Sequence, residues 1–546
     1  MKLRLPRVPK PVLDIGLPAA GFLVFSLSFF PSVRSVGLWP DEAMIGRVAW
    51  AILRQIPQLM DRTVSLRLFG LYFPLNGDYS HGPGEFYSAV PFVWIFGPTA
   101  QAIQWRSALC AFAAIAATYR LGWVLYKDRW AAFFASVLLA ASPGLACLSF
   151  YGAEMGATQV AAGSIALCLL LLYAERRRPA FAYGGCAALG FALSCHSKML
   201  AFIFGLGAYA WLFRGEVRTL LPPRPKERAR FLAVCAGLIL LFCVPLIVAY
   251  LIGGLWPSLR AHLLVQESGA RNLDDYGPNL LVRLKQLQRI LTDMPYAWKF
   301  KMADYPDFFV SRLLLNGALV TGAILALREA FLKRPAARRW MIPVAIGSAY
   351  LLLSPICPTS LQPLHLFPIV PLAYLTASSL VAMPRRRAAR VPLILAFLLF
   401  TVYRVRSGAA LLRGFHEQAS RSRIFAVAED LSAWLIAHPG FRPIFLGWGG
   451  EHFRYFSMGM PAGDLDPAEP SFERQADELL KTDGNLFVFS AESTGEMPAL
   501  FPILEKRAHR NGKALAHVDS ILRPDGTLAF DLYRPGPITG TEVSGR

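Results

Sequence analysis

Hydrophobic positions along the chain cluster into about eleven runs, separated by short polar or basic segments. The runs lie near 12–31, 105–126, 130–147, 156–174, 180–196, 199–213, 231–256, 310–327, 340–355, 364–383 and 391–405. About 20 mostly apolar residues cross the hydrocarbon core of a bilayer as a helix. The pattern therefore predicts an α-helical polytopic membrane protein with about eleven transmembrane helices. The first run follows four basic residues and has no small-residue cleavage site after it, which predicts a retained signal anchor.

Basic residues mark every second loop. Clusters such as Arg176–Arg178 and Arg385–Arg387 follow the even-numbered runs, and the N-terminus is basic as well. Because cytoplasmic loops carry an excess of Lys and Arg, the N-terminus and these loops are predicted to be cytoplasmic. An odd number of spans then places the C-terminal region on the outer, periplasmic side. Together with high Ala, Arg and Pro usage, this topology predicts a bacterial inner membrane.

Two of the predicted outer segments, 32–104 and 257–309, are long and rich in aromatic residues, Pro and Gly. Within them, Ala43–Leu53 and Asn279–Met294 have helical spacing of apolar residues, and Phe86–Phe96 is apolar but too short to span. Amphipathic helices lying in the membrane interface explain these stretches. Long structured loops are also where functional residues concentrate.

The polarity of the chain changes after the last run, which divides it into a membrane module (1–406) and a soluble tail (407–546). In the tail, "PIFLGW" and "NLFVFSA" have strand-like composition, and the last stretch resembles a hairpin closed by Pro-Asp-Gly. The tail is predicted to be a small α/β domain. It contains no Gly-rich phosphate loop and no nucleophile motif, so no catalytic role is assigned to it.

Composition argues against a nucleic-acid-binding protein and against a disulfide framework. The net charge of +20 could suggest a nucleic-acid partner, but the charge is concentrated in loops between apolar runs and reflects topology. Eight cysteines, none in a CxxC pair, lie within or at the ends of apolar segments and are predicted to be free thiols rather than a disulfide framework. With a mean hydropathy of +0.41, the chain is a membrane protein with no expected nucleic-acid partner.

Ionisable residues recur at the outer ends of the first spans. Asp41 and Glu42 follow Pro40 and precede a helical stretch, so alone they are explained as acidic residues favoured at a helix N-terminus. Later outer segments add further polar groups: His81, Glu85, Tyr87, Glu154 and Lys198. A charge near membrane depth is costly and normally faces a cavity or a partner. Taken together, these residues predict a polar pocket that opens outward.

Four stretches, in this order, resemble the C-type (GT-C) membrane glycosyltransferases, in particular the aminoarabinose transferases of lipid A and the protein O-mannosyltransferases. They are "LWPDEAMIGRVAW", "SHGPGEFYSAVPFVWIFGPTAQAIQWRSAL", "LLAASPGLACLSFYGAEMGATQ" and "ALSCHSKMLAFIF". The resemblance covers the first 215 residues well, is weaker over 261–271 and 361–375, and is absent in the tail. It implies a GT-C fold and a monomeric enzyme that transfers a sugar, with inversion, from a polyprenyl-phosphate donor to a lipid, glycan or protein acceptor.

The resemblance also implies roles for individual residues. Asp41 matches the acidic residue of the first outer loop and is the expected base, with Glu42 beside it and Glu154 as a second acidic residue. Contacts to the donor phosphate are expected from His81, Lys198, Arg271 and His365, and Tyr87 and Glu85 are expected in the substrate pocket. Cationic groups would stabilise charge on the departing phosphate, and a carboxylate would accept the proton of the attacking hydroxyl. Whether Asp41 and Glu154 also bind Mg²⁺ or Mn²⁺ is open at this stage.

Two other function classes compete with an enzyme. A secondary transporter or lipid flippase would place ionisable residues near the bilayer midplane, often within internal repeats. Arg120, inside the second run, suits that class, but no repeat is evident and the other charges lie at outer ends. A non-catalytic assembly protein is the third alternative. The enzyme hypothesis predicts that Asp41, His81, Glu154 and Lys198 converge on one cavity.

Overall fold

A computed structural model defines the fold of most of the chain. It describes residues 10–29, 38, 40–60, 64–76, 82–142, 144–146, 149, 156–196, 198–252, 276–292, 309–332, 338–356, 363–383, 387–419, 426–446, 450–457, 460, 462–465, 471–490, 497–522 and 526–537. The structural statements below concern these residues. Helices dominate the first 419 residues, and a mixed sheet with helices follows them.

The helices of the membrane part follow the predicted apolar runs closely. They are α1 (Lys10–Phe29), α2 (Pro40–Arg54), α3 (Gly84–Phe96), α4 (Ala100–Tyr126), α5 (Arg129–Ala140), α6 (Gly156–Arg176), α7 (Pro179–Cys195), α8 (Met199–Leu212), α9 (Arg214–Leu220), α10 (Pro225–Ile252), α11 (Tyr276–Thr292), α12 (Phe309–Phe331), α13 (Met341–Leu353), α14 (Val370–Ala382) and α15 (Arg387–Ala419). Short 3₁₀ helices occupy Pro57–Met60, Ser354–Ile356 and Pro363–Ile369.

Each of the eleven predicted runs contains a helix in the part of it that the structure describes. Among the described residues, 6 helices are long and apolar enough to cross a membrane alone, and α8 with α9, bent by 99°, adds a seventh candidate. The remaining predicted runs are the shorter apolar helices within α1, α5, α7 and α13. The predicted run lengths were too long at α5 and α13, because the helices end at Ala140 and Leu353.

The basic loops meet at one end of the helix bundle. Lys127 of the α4–α5 turn pairs with Glu175 at the end of α6. In the same region Arg390 at the start of α15 pairs with Asp128, and Arg338 pairs with Glu216 of α9. The alternation seen in the sequence therefore corresponds to one physical end of the bundle, which we call the basic end. The opposite end, where α4 and α6 begin and α7 ends, is called the site end.

Close helix packing builds the membrane part. One large cluster of buried apolar residues joins α4 through α8 with α11, α13 and α14. Glycines allow the tightest approaches: a Cβ at Gly122 of α4 would lie 2.7 Å from Cα of Ala132 in α5. Small residues at such crossings let backbones approach where burial from water supplies little driving force. The six cysteines of the described part lie in these helices as free thiols, as predicted.

Two elements next to the site end confirm that the first outer segment contains helices, and their position in the membrane interface stays a prediction. α2 and α3 pack on each other and are joined by the hairpin β1 (Ser65–Leu68) and β2 (Leu71–Pro74). α11 confirms the third helix; Leu287, Ile290 and Leu291 are buried against the bundle, Leu281 and Leu284 are exposed, and Arg283, unexpectedly, is buried. Arg283 turns inward because it bonds Gln286 and the carbonyl of Ser354, which repays burial of its charge.

The tail is a five-stranded mixed sheet with helices on both faces. Its elements are α16 (Ala426–Ala437), β3 (Arg442–Leu446), α17 (Gly450–Phe456), β4 (Gly463–Leu465), α18 (Phe472–Leu480), β5 (Asn485–Ser490), α19 (Met497–Arg510), β6 (Lys513–Leu522) and β7 (Leu528–Pro537). The strand order is β4-β3-β5-β7-β6; β3 is parallel to β4 and β5, and β7 is antiparallel to β5 and β6. Alternate residues of β5 enter two separate cores, as the two-residue period of a strand requires. The predicted α/β character and terminal hairpin are confirmed.

Candidate functional site

A buried ion cluster lies at the site end. Nη2 of Arg106, in the second turn of α4, is 3.2 Å from Oε2 of Glu42, and Nη1 is 3.3 Å from Oε2 of Glu85. All three side chains are fully buried. One guanidinium therefore joins α2, α3 and α4, each contributing a charge. Breaking such a buried pair by removing one partner typically costs about 3–5 kcal/mol, so the cluster fixes how these three helices start.

The turn before α3 packs tightly against the end of α7. A Cβ at Gly82 would lie 2.1 Å from the carbonyl oxygen of Ser194, and one at Gly84 would lie 2.5 Å from Oγ of Ser194. Only a residue without a side chain allows this approach of two backbones. Cys195, the last residue of α7, is also in contact with Glu85. The "SHGPGE" stretch and the "LSCHSK" stretch, distant in sequence, are thus neighbours.

The turn after α7 brings two histidines and a lysine together. The backbone N–H of Lys198 donates to Nδ1 of His196 over 3.1 Å, so this nitrogen is the acceptor and the ring proton lies on Nε2. The His196 ring is 6.1 Å from that of His365, which lies in the 3₁₀ helix Pro363–Ile369. All three side chains are buried. Lys198 and His365 were predicted from the sequence, and the structure places His196 between their segments.

The start of α6 completes the arrangement. The Cys110 thiol of α4, one turn beyond Arg106, donates to Oγ1 of Thr158 over 3.7 Å. Thr158 is in the first turn of α6, directly after the segment that contains Glu154. Four segments that carry the sequence motifs therefore meet around Arg106 and Cys110: the starts of α2, α3 and α6, and the end of α7, through Cys195.

Several predicted site residues lie outside the part of the chain that the structure describes. His81, Glu154 and Arg271 are among them, and for Asp41 only the backbone is described, in the first turn of α2. Their side-chain positions stay predictions. Among the described site residues, Glu42 and Glu85 converge on Arg106, and the backbone N–H of Lys198 is bonded to His196, whose ring lies beside that of His365. Tyr87 is set apart from both groups.

Tyr87 connects α3 to the β1–β2 hairpin. Its hydroxyl donates to the carbonyl of Pro74 over 3.3 Å, and the ring is 37% exposed. Burial raises the pKa of Tyr87 to about 12, so the hydroxyl is a donor at every physiological pH. Its contact orders the hairpin above α3, while its exposed part remains available to a substrate.

Sequence reasoning missed Arg106 and His196. Arg106 lies inside the quoted "QAIQWRSAL" stretch, and a charge within an apolar run is a signal in its own right. His196 is two residues from Lys198, and imidazole beside a cation at a helix end could have been noticed. The candidate residues came from the charges at the outer ends of the spans, and neither Arg106 nor His196 was among them. Arg120, the residue that suited a transporter, lies in the last turns of α4, within electrostatic range of Glu175 at the basic end.

Metal ligation has limited support in the described part of the chain. There, no group of three or more His, Cys, Asp and Glu side chains is arranged to hold a metal ion. Asp41 and Glu154, the predicted ligands, have no described side chains. The described groups that lie side by side here are the two imidazoles of His196 and His365.

Part of the chain that forms the site end matches a known protein family. Residues 80–252 match the family model of dolichyl-phosphate-mannose-protein mannosyltransferases. That range contains the starts of α3 and α6 and the turn after α7. No curated protein matches the chain by sequence.

Solved structures match over nearly the whole chain. ArnT from Cupriavidus metallidurans bound to undecaprenyl phosphate has a TM-score of 0.58 at 14% identity, covering 96% of this chain and 98% of ArnT. The archaeal oligosaccharyltransferase AglB from Archaeoglobus fulgidus, in complex with an inhibitory peptide and a dolichol-phosphate, has a TM-score of 0.52 at 14% identity, covering 95% of this chain and 74% of AglB. The arabinofuranosyltransferase AftD from Mycobacteria has a TM-score of 0.54 at 18% identity, covering 97% of this chain and 40% of AftD.

Proposed function

We propose that this chain, which has the multi-span fold of the GT-C membrane glycosyltransferases, transfers a sugar from a polyprenyl-phosphate carrier to a hydroxyl acceptor at the site end. The observation that supports this most is the meeting of four motif-bearing segments around Arg106 and Cys110. Three of those segments fall within the range that matches the mannosyltransferase family model. The structural relatives bound to undecaprenyl phosphate and dolichol-phosphate support a carrier of that chemical class.

The proposed reaction is a direct displacement. The acceptor hydroxyl attacks the anomeric carbon, a carbon–oxygen bond forms to the acceptor, and the bond to the carrier phosphate oxygen breaks, with inversion. The hydroxyl proton passes to Asp41, which acts as general base. Glu42, the next residue, is held by Arg106, so the first turn of α2 starts at a fixed position and angle. A base held in place in this way avoids the cost of orienting it in the transition state.

The second requirement of the reaction is stabilisation of the negative charge that develops on the departing phosphate. The rings of His196 and His365 lie side by side at the site end, and the backbone of Lys198 is bonded to His196. The two imidazoles and the Lys198 ammonium group are the proposed donors to the phosphate. Donors fixed in advance around a developing anion are worth much more where water is excluded than in bulk solution. By the family resemblance, His81 and Arg271 would add to this group. Assay after chelation decides whether Mg²⁺ or Mn²⁺ on Asp41 and Glu154 is also needed.

The proposed side of the membrane for this chemistry is the outer one, which the charge distribution supports. The basic end would face the cytoplasm under the positive-inside rule, which puts the site end and the tail in the periplasm of a bacterial inner membrane. The donor would then enter from the outer leaflet, and the acceptor would be a lipid, a glycan or a protein on that side.

The decisive test does not require the acceptor to be known in advance. The full chain in lipid nanodiscs is given polyprenyl-phosphate-linked pentoses, hexoses and uronic acids with a membrane extract as acceptor, and released polyprenyl phosphate is quantified. A glycosyltransferase releases carrier phosphate and labels an acceptor from at least one donor. A transporter or flippase leaves the donor intact and changes only its leaflet, an outcome that contradicts the proposal.

A further inference from the structure

Tyr455 of the tail is buried in the membrane part rather than in the tail. It lies on α17, a two-turn helix, and none of its side chain is exposed. Its ring belongs to the apolar cluster formed by α2, α3 and the start of α4. Phe453 on the same helix enters the tail core against Phe445, with ring centroids 5.6 Å apart. Residues two apart on a helix point to nearly opposite faces, so α17 connects the two parts of the molecule.

The Tyr455 ring rests on the backbone of α2. A Cβ at Gly46 would lie 2.5 Å from Cζ and 2.6 Å from Cε2 of Tyr455. Glycine inside a helix costs roughly 0.5–1 kcal/mol relative to alanine, and here the missing side chain makes room for the ring. Gly46 is four residues after Glu42, so the ring and the Glu42 carboxylate occupy the same face of α2.

The Tyr455 hydroxyl reaches a second helix. It donates to the carbonyl oxygen of Thr99 over 2.9 Å. Thr99 is the N-cap of α4, whose side chain accepts from the backbone N–H of Ala102, and Arg106 follows in the second turn. Tyr455 thus contacts the two helices that bear the Glu42–Arg106 ion pair, one through its ring and the other through its hydroxyl.

We propose that Tyr455 is a positioning residue for sugar transfer, which makes the tail a structural part of the active site. The proposal rests on the proposed function, because Tyr455 acts through α2, whose first turn carries Asp41. Without the ring, α2 can shift along the face that it shares with α17, and the ion pair must follow. A displacement of about 1 Å at a reacting group can cost about a hundredfold in rate.

Kinetics of four full-length proteins in nanodiscs test the proposal: wild type, Tyr455→Ala, Gly46→Ala and the double variant. Tyr455→Ala is expected to lower kcat by about ten- to a hundredfold with the donor KM within about threefold. Gly46→Ala displaces the ring and should give the same pattern. In the double variant the new methyl group finds space, so its kcat should be no lower than that of Tyr455→Ala. If the two substitutions acted independently, their fold losses in kcat would multiply in the double variant. A double variant with that multiplied loss would overturn the proposed coupling between Tyr455 and Gly46.

Two controls separate positioning from tail folding. Tyr455→Phe keeps the ring on Gly46 and loses only the bond to Thr99, so its kcat should stay within about threefold of wild type. Tyr533→Ala removes a side chain that packs against the tail core and is not part of the cluster around α2. Assayed well below its thermal midpoint, this variant should keep the wild-type kcat. Equal losses in Tyr533→Ala and Tyr455→Ala would show a folding effect and overturn the positioning role. If the wild type releases no carrier from any donor, the proposed function fails. Non-additive changes in the thermal midpoints of the four proteins would then measure only the contact between Tyr455 and Gly46.

Discussion

Arg106 is the residue on which the site end depends most. It is completely buried and contacts carboxylates from two other helices, Glu42 and Glu85. A buried cluster of this kind contributes little net stability compared with an apolar replacement of all members, but its members cannot be removed singly. Its value is geometric, because it specifies one arrangement of α2, α3 and α4.

Replacing Arg106 alone should therefore destabilise the fold. Arg106→Met removes the guanidinium that both carboxylates contact and should lower stability by about 3–5 kcal/mol. Adding Glu42→Gln and Glu85→Gln to the same chain should recover part of the loss in thermal midpoint without recovering sugar transfer. An Arg106→Met protein with the wild-type midpoint would contradict the structural role of the cluster.

His196 offers a second test at this scale. Its Nδ1 accepts the N–H of Lys198, and asparagine can accept the same N–H two residues on, whereas alanine cannot. His196→Asn should keep the thermal midpoint and lose about tenfold or more in transfer rate, because the ring donor is gone. His196→Ala should lose both. Full activity in His196→Asn would remove the imidazole from the phosphate site.

At the scale of elements, the sequence predicted which helices form better than it predicted which contacts they make. Each of the eleven apolar runs contains a helix among its described residues, because length and hydropathy are local properties. The inward turn of Arg283 on α11 could not be predicted, since it depends on Gln286 and on a carbonyl of Ser354 far along the chain. The packing of Tyr455 on Gly46 was hidden for the same reason. The order of the motifs predicted which helix ends carry the candidate site residues, and the structure shows which of these ends are in contact.

The contact between the start of α3 and the end of α7 leaves no room for a single added carbon atom. Gly82→Ala would place a methyl group 2.1 Å from the Ser194 carbonyl, so the start of α3 must move. Overpacking of this kind costs about 1–3 kcal/mol, and we expect transfer to fall at least tenfold.

Gly237→Ala in α10 is the matched control for that variant. No atom lies within 4 Å of a Cβ at Gly237, and alanine is a better helix former there by about 1 kcal/mol. Wild-type activity is therefore expected for Gly237→Ala, assayed in parallel. Unchanged activity in Gly82→Ala would show that the meeting of α3 and α7 does not affect the site.

At the scale of the whole molecule, orientation decides what the site can reach. The basic loops share one end, joined by pairs such as Lys127–Glu175, and the tail lies at the other. The likeness to ArnT over nearly the full chain confirms the predicted GT-C fold, including the tail that the motif resemblance did not cover. Donor sugar and acceptor could not be predicted, because they depend on contacts that a single sequence does not place.

Labelling with a membrane-impermeant maleimide tests the orientation. Thr482 in the tail and Lys226 in the first turn of α10, next to a basic loop, are both exposed, so cysteines placed there are reachable from their own side only. Thr482→Cys should react after the outer membrane alone is permeabilised, and Lys226→Cys only after the inner membrane is opened as well. The reverse pattern would place the site end in the cytoplasm.

The most direct test of the central claim is the single-turnover rate of Asp41→Asn. With donor bound to saturation and acceptor added, the amide cannot accept the hydroxyl proton, so carrier release should fall by about two to four orders of magnitude. Donor binding and the thermal midpoint should match those of the wild type. A single-turnover rate within threefold of wild type would contradict the assignment of Asp41 as the base.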